Sequence, residues 1–224
     1  MNSFAKRLLL AGLTVWQTAS ASATGHNLRF EAVYLKKSAE GYKTLSGTDT
    51  LTVNTLRFYI THLSVEFADG HAVRDTNARL LDFSETSAVE IAYEEAGDRS
   101  VRSVEFDLGV DSATNVAGVQ GDALDPTNGM YWTWQSGYIN FKIEGTGPHR
   151  PKGFEYHIGG YLEPYPTLQH VKIAIDGKTP CIGFSLEEFF RHLPSDLPSH
   201  VMSPGTDARR ISVIAANSFI SCGK

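Results

Sequence analysis

The sequence predicts a mainly β protein, an antiparallel β-sandwich or flattened barrel with short C-terminal helices. Two observations point there. Most of the chain is cut into short runs rich in aromatic and β-branched residues, bounded by Gly, Pro, Asp and Asn. Only near the C-terminus does the apolar spacing change from every second residue to every third or fourth, the helical period. No repeat or linker divides the chain, so residues 24–224 read as one domain of about 200 residues, enough for a sizeable core.

Residues 1–23, MNSFAKRLLLAGLTVWQTASASA, have the parts of a secretory signal. Lys6 and Arg7 supply the charge, Leu8 to Trp16 an apolar run too short to span a bilayer, and Ala21-Ser22-Ala23 the cleavage site. The mature chain is therefore expected in the periplasm or outside the cell. Without the two basic residues of the signal it carries 18 basic against 25 acidic residues, a net charge of −7. That balance, with basic residues only in isolated pairs, argues against a nucleic-acid partner. In an oxidising compartment the two cysteines, Cys181 and Cys222, suggest a disulfide. It would close a loop of about 42 residues, worth on the order of 4 kcal/mol in the chain-entropy model. Their spacing fits no zinc motif.

Leu28 to Leu35 alternates, with Phe30, Ala32 and Tyr34 on one side, and reads as a first strand. Lys36 to Gly47 is polar and turn-like. Leu51 to Phe67 is expected to hold two strands, because Leu56, Phe58 and Ile60 keep one phase and Leu63, Val65 and Phe67 the other. The slip falls at Thr61-His62, where a bulge or bend is expected. His62 reads there as a half-buried histidine bonded to backbone. Asp69-Gly70 marks a hairpin turn, with His71 exposed beside it. Residues 78–83 and 101–110 are further strands, and the acidic stretch between them, with Glu90, Glu94, Glu95 and Asp98, reads as solvated surface.

Asp111 to Asn128 is a long loop rich in Asp, Asn and Gly. Its Asp111, Asn115, Asp122 and Asp125 offer the oxygens that calcium takes, without EF-hand spacing. Residues 154–158 and 171–175 are strands. Ser185 to Glu188 is a capping box, followed by Leu186, Phe189, Phe190 and Leu193 at helical spacing. Ser203-Pro204 opens a second helix, with Ile211, Ile214, Ala215 and Ser218 inward.

Gly129 to Gly145, GMYWTWQSGYINFKIEG, holds both tryptophans of the mature chain, Trp132 and Trp134. In a strand, residues two apart share a face, so the indoles stand side by side with Met130. Ser136-Gly137 interrupts the alternation, as glycine at a bulge does. With one residue bulged, the tryptophan face continues as Ile139, Phe141 and Ile143 and turns to the core. Without a bulge it continues as Tyr138, Asn140 and Lys142 and is wetter. The plain structural reading is a tryptophan pair packing a sandwich core.

No GxSxG, HExxH, P-loop or GxGxxG pattern is present, and the chain is not expected to be an enzyme. Residues 108–145, LGVDSATNVAGVQGDALDPTNGMYWTWQSGYINFKIEG, resemble the core motif of the MbnP family of periplasmic copper-binding proteins. RFYITHLSV at 57–65 and FEYHIGGY at 154–161 fall where that family has its own strand motifs. Many relatives have four cysteines where this chain has two. The resemblance implies copper as cofactor and a part in copper homeostasis. It further implies that a tryptophan of the W-x-W motif, Trp132 ahead of Trp134, is oxidised to kynurenine by a di-haem cytochrome c peroxidase-like partner. An intact indole N–H only donates, whereas the ring-opened product offers an aniline nitrogen and a ketone. Imidazoles complete such a site, as suits copper. The metal residues so implied are His157, Trp132 and Trp134, with His62 as a further imidazole. A second reading is an extracellular interaction or carbohydrate-binding module, in which two exposed, coplanar indoles stack on a sugar.

Strand geometry sets a condition on any shared site. If residues 131–143 and 154–158 form one hairpin, His157 pairs near Phe141. Trp134 then lies seven residues away, roughly 23 Å along a straight strand. A common site needs another register, or strands that are not hairpin neighbours.

Overall fold

A computed structural model describes residues 24–33, 36–38, 41–46, 49–95, 99–135, 137–148, 150–175 and 180–222. The secretory signal, Tyr34, Asp98, Ser136, His149 and residues 176–179 lie outside the described residues.

Strand β1 (Thr24–Val33) buries Leu28, Phe30 and Ala32. β2 (Lys36–Ser38) and β3 (Gly41–Ser46) form a hairpin where the polar sequence reads as turn. Backbone pairing of β3 with the start of β4 (Asp49–Phe67) defines it, rather than an apolar pattern. β4 is one strand, not two. Its phase slips where expected: pairing with β8 (Val101–Leu108) shifts between Thr61 and Ser64, and His62 takes a left-handed φ of 51°. β5 (Ala72–Asp75) and β6 (Arg79–Asp82) run back along β4. The acidic stretch, expected as solvated surface, also contains a strand: β7 (Ala88–Glu95) pairs with β1, burying Ile91 while Glu90 and Glu94 stay in water.

After β8 come the six-residue helix α1 (Ser112–Ala117) and two 3₁₀ turns, Asp122–Leu124 and Pro126–Asn128. β9 (Tyr131–Trp132), β10 (Gly137–Gly147), β11 (Arg150–Gly159) and β12 (Gln169–Ala174) follow. β13 (Cys181–Ser185), α2 (Leu186–His192), β14 (His200–Val201), α3 (Thr206–Asn217) and β15 (Phe219–Ser221) end the chain. One sheet has four strands in the order β15-β13-β1-β7. The other has eleven, with the spine β12-β8-β4-β10-β11-β14, and curls into a half-barrel. Two pairings, β1 with β13 and β11 with β14, are parallel.

The main core lies between the sheets. Phe58, Phe141, Phe184 and Phe189 meet there with ring centroids 5.3 to 6.2 Å apart. Each such ring contributes roughly 2 kcal/mol on burial. Cys181 and Cys222 are bonded, with their Cα atoms 5.3 Å apart, and fasten β15 to β13. Ser185 caps α2 by accepting from the Glu188 N–H at 3.2 Å. α3 begins at Thr206, two residues past the proline, and turns Ala208, Ile211, Ser212 and Ala215 inward.

A second cluster of Tyr59, Val110, Leu124, Met130, Trp132, Tyr138 and Ile139 covers the other face of the larger sheet. The 111–129 segment is tied over it. The Tyr59 hydroxyl donates to the Ala123 carbonyl at 2.9 Å, and the Tyr138 hydroxyl donates to Gly118 O at 3.2 Å while accepting from Gln120 N. Burial pushes both phenols above the ordinary tyrosine range, so both remain donors. This corrects the calcium expectation. Asp111 caps α1, Asp125 accepts from the N–H and hydroxyl of Thr127, and Asn115 bonds Val110 O, Asp111 O and Tyr138 N. Asp122 spends its backbone carbonyl on Asn128 at a left-handed φ of 54°. These bonds close the loop on itself, and among the described residues the carboxylates of Asp111, Asp122 and Asp125 do not gather into a metal-ligating group.

Candidate metal centre

The tryptophan segment is not one strand. β9 ends at Trp132, the chain turns through Thr133 to Gln135, and it returns as β10. Gln135 N–H meets Trp132 O at 3.3 Å, and Trp132 pairs with Gly137 and Tyr131 with Tyr138. The chain therefore reverses between Trp132 and Gly137 instead of bulging there. The bulge lies further on, between Ile139 and Phe141, where the β10–β11 register shifts. It sends Ile139 to the second cluster and Phe141 and Ile143 to the main core. The two indoles consequently differ: Trp132 is 6% exposed and Trp134 64%. Their rings still touch, with centroids 5.4 Å apart and planes tilted by 40°.

β10 and β11 do form a hairpin, and His157 pairs with Lys142, one residue from the expected Phe141. The separation of roughly 23 Å does not arise, because the tryptophans do not extend along β10. The reversal lays the Trp132 ring over the end of β11, against Gly159. A Cβ at Gly159 would stand 2.8 Å from Trp132 Cζ3. His157 and Gly159 are two residues apart in β11, and Phe154, Tyr156 and Ile158 face the main core. His157 and Gly159 therefore share the outer face. One strand step of about 7 Å separates His157 from the residue beneath the indole. A cavity of about 270 Å³ opens beside Trp132, lined also by Gln135, Gly160, Tyr161 and Tyr165.

His157 is buried, and its Nε2 lies 2.6 Å from Glu144 Oε1. Glu144 also accepts from the Thr55 hydroxyl at 2.8 Å and pairs with Lys142 at 3.3 Å. Burial opposes its charge, but the bonds from Thr55 and His157 and the Lys142 ammonium outweigh that and hold the carboxyl below its usual range. A carboxylate only accepts, so the proton of this bond sits on Nε2 and the ring's lone pair on Nδ1. Burial, ahead of the opposing Glu144 bond, lowers the His157 pKa and keeps the imidazole neutral. A neutral imidazole backed by a carboxylate is the form that binds a metal.

Met130 is fully buried in the cluster that holds Trp132, and its thioether is a soft donor. The His157 imidazole nitrogen is a donor that suits copper; the intact indole adds only a donor N–H. His62 stands apart from this group. It is exposed rather than half-buried, it bonds the Asp107 carboxylate at 3.1 Å rather than backbone, and its cleft shares no lining residue with the Trp132 cavity. Among the described residues, Glu31, Cys181 and Cys222 also lie together, but the sulfurs are spent in the disulfide. Sequence reasoning missed Glu144, Thr55 and Gly159. Glu144 and Thr55 are 89 residues apart, and the pairing of β10 with β4 brings them together.

Asn140 supports the site from below. Its Oδ1 accepts from Val110 N at 2.9 Å, and its Nδ2 donates to the Thr167 hydroxyl at 3.0 Å, which donates to Gly160 O. Asn140→Ala leaves the buried Val110 N–H without its acceptor, while Thr167 keeps its bond to Gly160 O, and is expected to cost about 2 kcal/mol. Urea unfolding measures it, and an unchanged midpoint would contradict this role.

A family model for MbnP matches residues 22–199. Among solved structures, MbnP from Methylosinus trichosporium is similar, with a TM-score of 0.52 and 16% identity, covering 83% of each chain. At that identity the likeness speaks to the fold. A comparison with curated proteins finds no match. The family model spans most of the chain, and by it the chain belongs to the MbnP family.

Proposed function

We propose that the chain is a periplasmic or secreted copper-binding protein, a substrate rather than an enzyme, whose Trp132 is oxidised to kynurenine by a separate haem peroxidase-like partner. One observation carries the reading: a buried indole on the His157 face of β11, in ring contact with an exposed one. Trp134 presents its ring to a docked oxidant and passes oxidising equivalents to Trp132. Four electrons leave the Trp132 indole for the partner's peroxide-level oxidant and four protons are released, two waters supply one oxygen each to C2 and C3 as the C2–C3 bond breaks, and hydrolysis of the resulting N-formyl group releases C2 as formate. The product's aniline nitrogen is then available on the face that holds His157. Copper, once bound, supplies the redox-active and thiophilic character of the site; His157 offers Nδ1, and Glu144 holds the ring in that tautomer. The disulfide fits an oxidising compartment, and no described helix is long and apolar enough to cross a membrane. A flat sugar platform is disfavoured, since one indole is buried and the pair is tilted.

Copper titration with metal analysis tests the reading on protein made with its haem partner. Binding no better than background sinks it. Glu144→Gln should keep the fold but weaken copper about tenfold, because the neutral amide no longer raises the basicity of His157. A competition titration reads this, and unchanged affinity would remove Glu144 from the site.

A further inference from the structure

The larger sheet carries a second set of metal-ligating side chains. β4, β8 and β12 lie side by side, and on their outer face Asp107 stands at the centre. His170 is directly opposite Asp107 on β12, and Thr61 is opposite it on β4. Regular alternation after Ile60 would turn residue 62 toward the core, where Ile60 and Leu63 are packed. The bulge inserts one extra residue there, and His62 takes a left-handed φ of 51°. That backbone, unusual for anything but glycine, aims the imidazole at Asp107.

The result is near-symmetric. His62 Nδ1 lies 3.1 Å from one oxygen of Asp107, and His170 Nδ1 lies 3.0 Å from the other. Each far nitrogen faces a further carboxylate: His62 Nε2 is 3.9 Å from Asp111 and His170 Nε2 is 3.9 Å from Glu105. The group lines a cleft of about 320 Å³. Exposed ion pairs of this kind add little stability, so stability alone gives no reason to hold a histidine in a left-handed conformation.

We infer that His62, Asp107 and His170 form a second metal site, distinct from the Trp132–His157 centre, for a borderline divalent ion of the zinc class. Two imidazoles and a carboxylate are the donors such ions take, with water completing the shell. The rings now bond opposite oxygens of Asp107. The ligand atoms of the three residues do not yet converge, so binding requires the two rings, about half exposed with 48% and 61% of their side chains open, to turn their Nδ1 atoms onto an ion above the carboxylate. Asp111 and Glu105 then receive the Nε2–H of each ring, the arrangement that orients histidine ligands.

The test uses the mature protein made without a haem partner, so that both indoles are intact, and titrates Zn(II) by calorimetry with Ca(II) as control. One Zn(II) per chain is expected, and no heat from Ca(II). His62→Asn keeps a residue that tolerates the left-handed backbone, and His170→Gln keeps the strand pairing. Each should weaken zinc roughly tenfold or more with an unchanged circular dichroism spectrum, whereas His157→Gln should leave zinc binding as it is. No zinc binding, binding that survives both substitutions, or binding lost with His157→Gln would each overturn the site.

Discussion

Trp132→Phe is expected to remove both the modification and the copper. In protein made with the haem partner, the tryptic peptide Ser103–Lys142 should be heavier by about 4 Da, two oxygens gained and one carbonyl equivalent lost. Both mature tryptophans lie in that peptide, so fragmentation must place the change, and the structure favours Trp132. Its ring lies on Gly159, one strand step from His157, while Trp134 is mostly in water. A ligand formed at Trp134 would be exposed to water. In Trp132→Phe the peptide should stay unshifted and copper should fall to background. In Trp134→Phe the shift at Trp132 should form more slowly, because the exposed ring that meets the oxidant is lost. A shift that persists in Trp132→Phe and sits on Trp134 would reverse these roles. Protein made alone should show no shift, since no cofactor motif in the chain supplies an oxidant.

The strands whose apolar residues alternate were legible. Leu28, Phe30 and Ala32 face the core, and the phase slip at Thr61-His62 is a real bulge. The β10–β11 hairpin is off by one residue from its expected register at His157, because the pairing shifts between Gly145 and Gly147 beside the turn; the second shift, between Ile139 and Phe141, returns it to the expected one at Ile139–Gly159. β7 escaped notice because one face of it is water-facing glutamate, so its composition looks like surface although Ile91 is buried. β14 and β15 are two and three residues long and owe their strand geometry to partners at least 35 residues away.

The site was legible only in its residue types. A W-x-W segment read as strand puts both rings on one face; the turn at Thr133 to Gln135 divides them between core and water. That turn also removes the distance objection to a Trp132–His157 site. Alternation cannot reveal it, since Ser136-Gly137 is equally compatible with a bulge. Glu144 has no local mark, as Lys142 and Glu144 look like an ordinary solvent-facing pair on a strand. Its partners Thr55 and His157 come from the two neighbouring strands. The His62–Asp107–His170 group likewise draws on three strands, so each histidine read alone is an isolated surface residue.

Gly159→Ala should show how closely the Trp132 ring depends on bare backbone. The added Cβ would stand 2.5 Å from the Tyr138 carbonyl oxygen and 2.8 Å from Trp132 Cζ3. A free ring edge would be displaced cheaply, but Trp132 is packed with Tyr59, Met130 and Tyr138 in the second cluster. The carbonyl belongs to β10 one residue before Ile139, which pairs with Gly159 beside the bulge, so relief requires moving strand backbone. Overpacking of this kind costs about 3 kcal/mol. Chemical denaturation should show that loss as a lower midpoint at unchanged slope. Trp132 fluorescence should shift to the red as the indole is pushed toward the 270 Å³ cavity and solvent. The double substitution Gly159→Ala with Trp132→Phe separates the two clashes, because the smaller ring reaches less far. Stability recovered by about half assigns the rest to the Tyr138 carbonyl. If Gly159→Ala alone leaves both midpoint and fluorescence unchanged, the Trp132 ring does not lie on Gly159, and its placement on the His157 face fails with it.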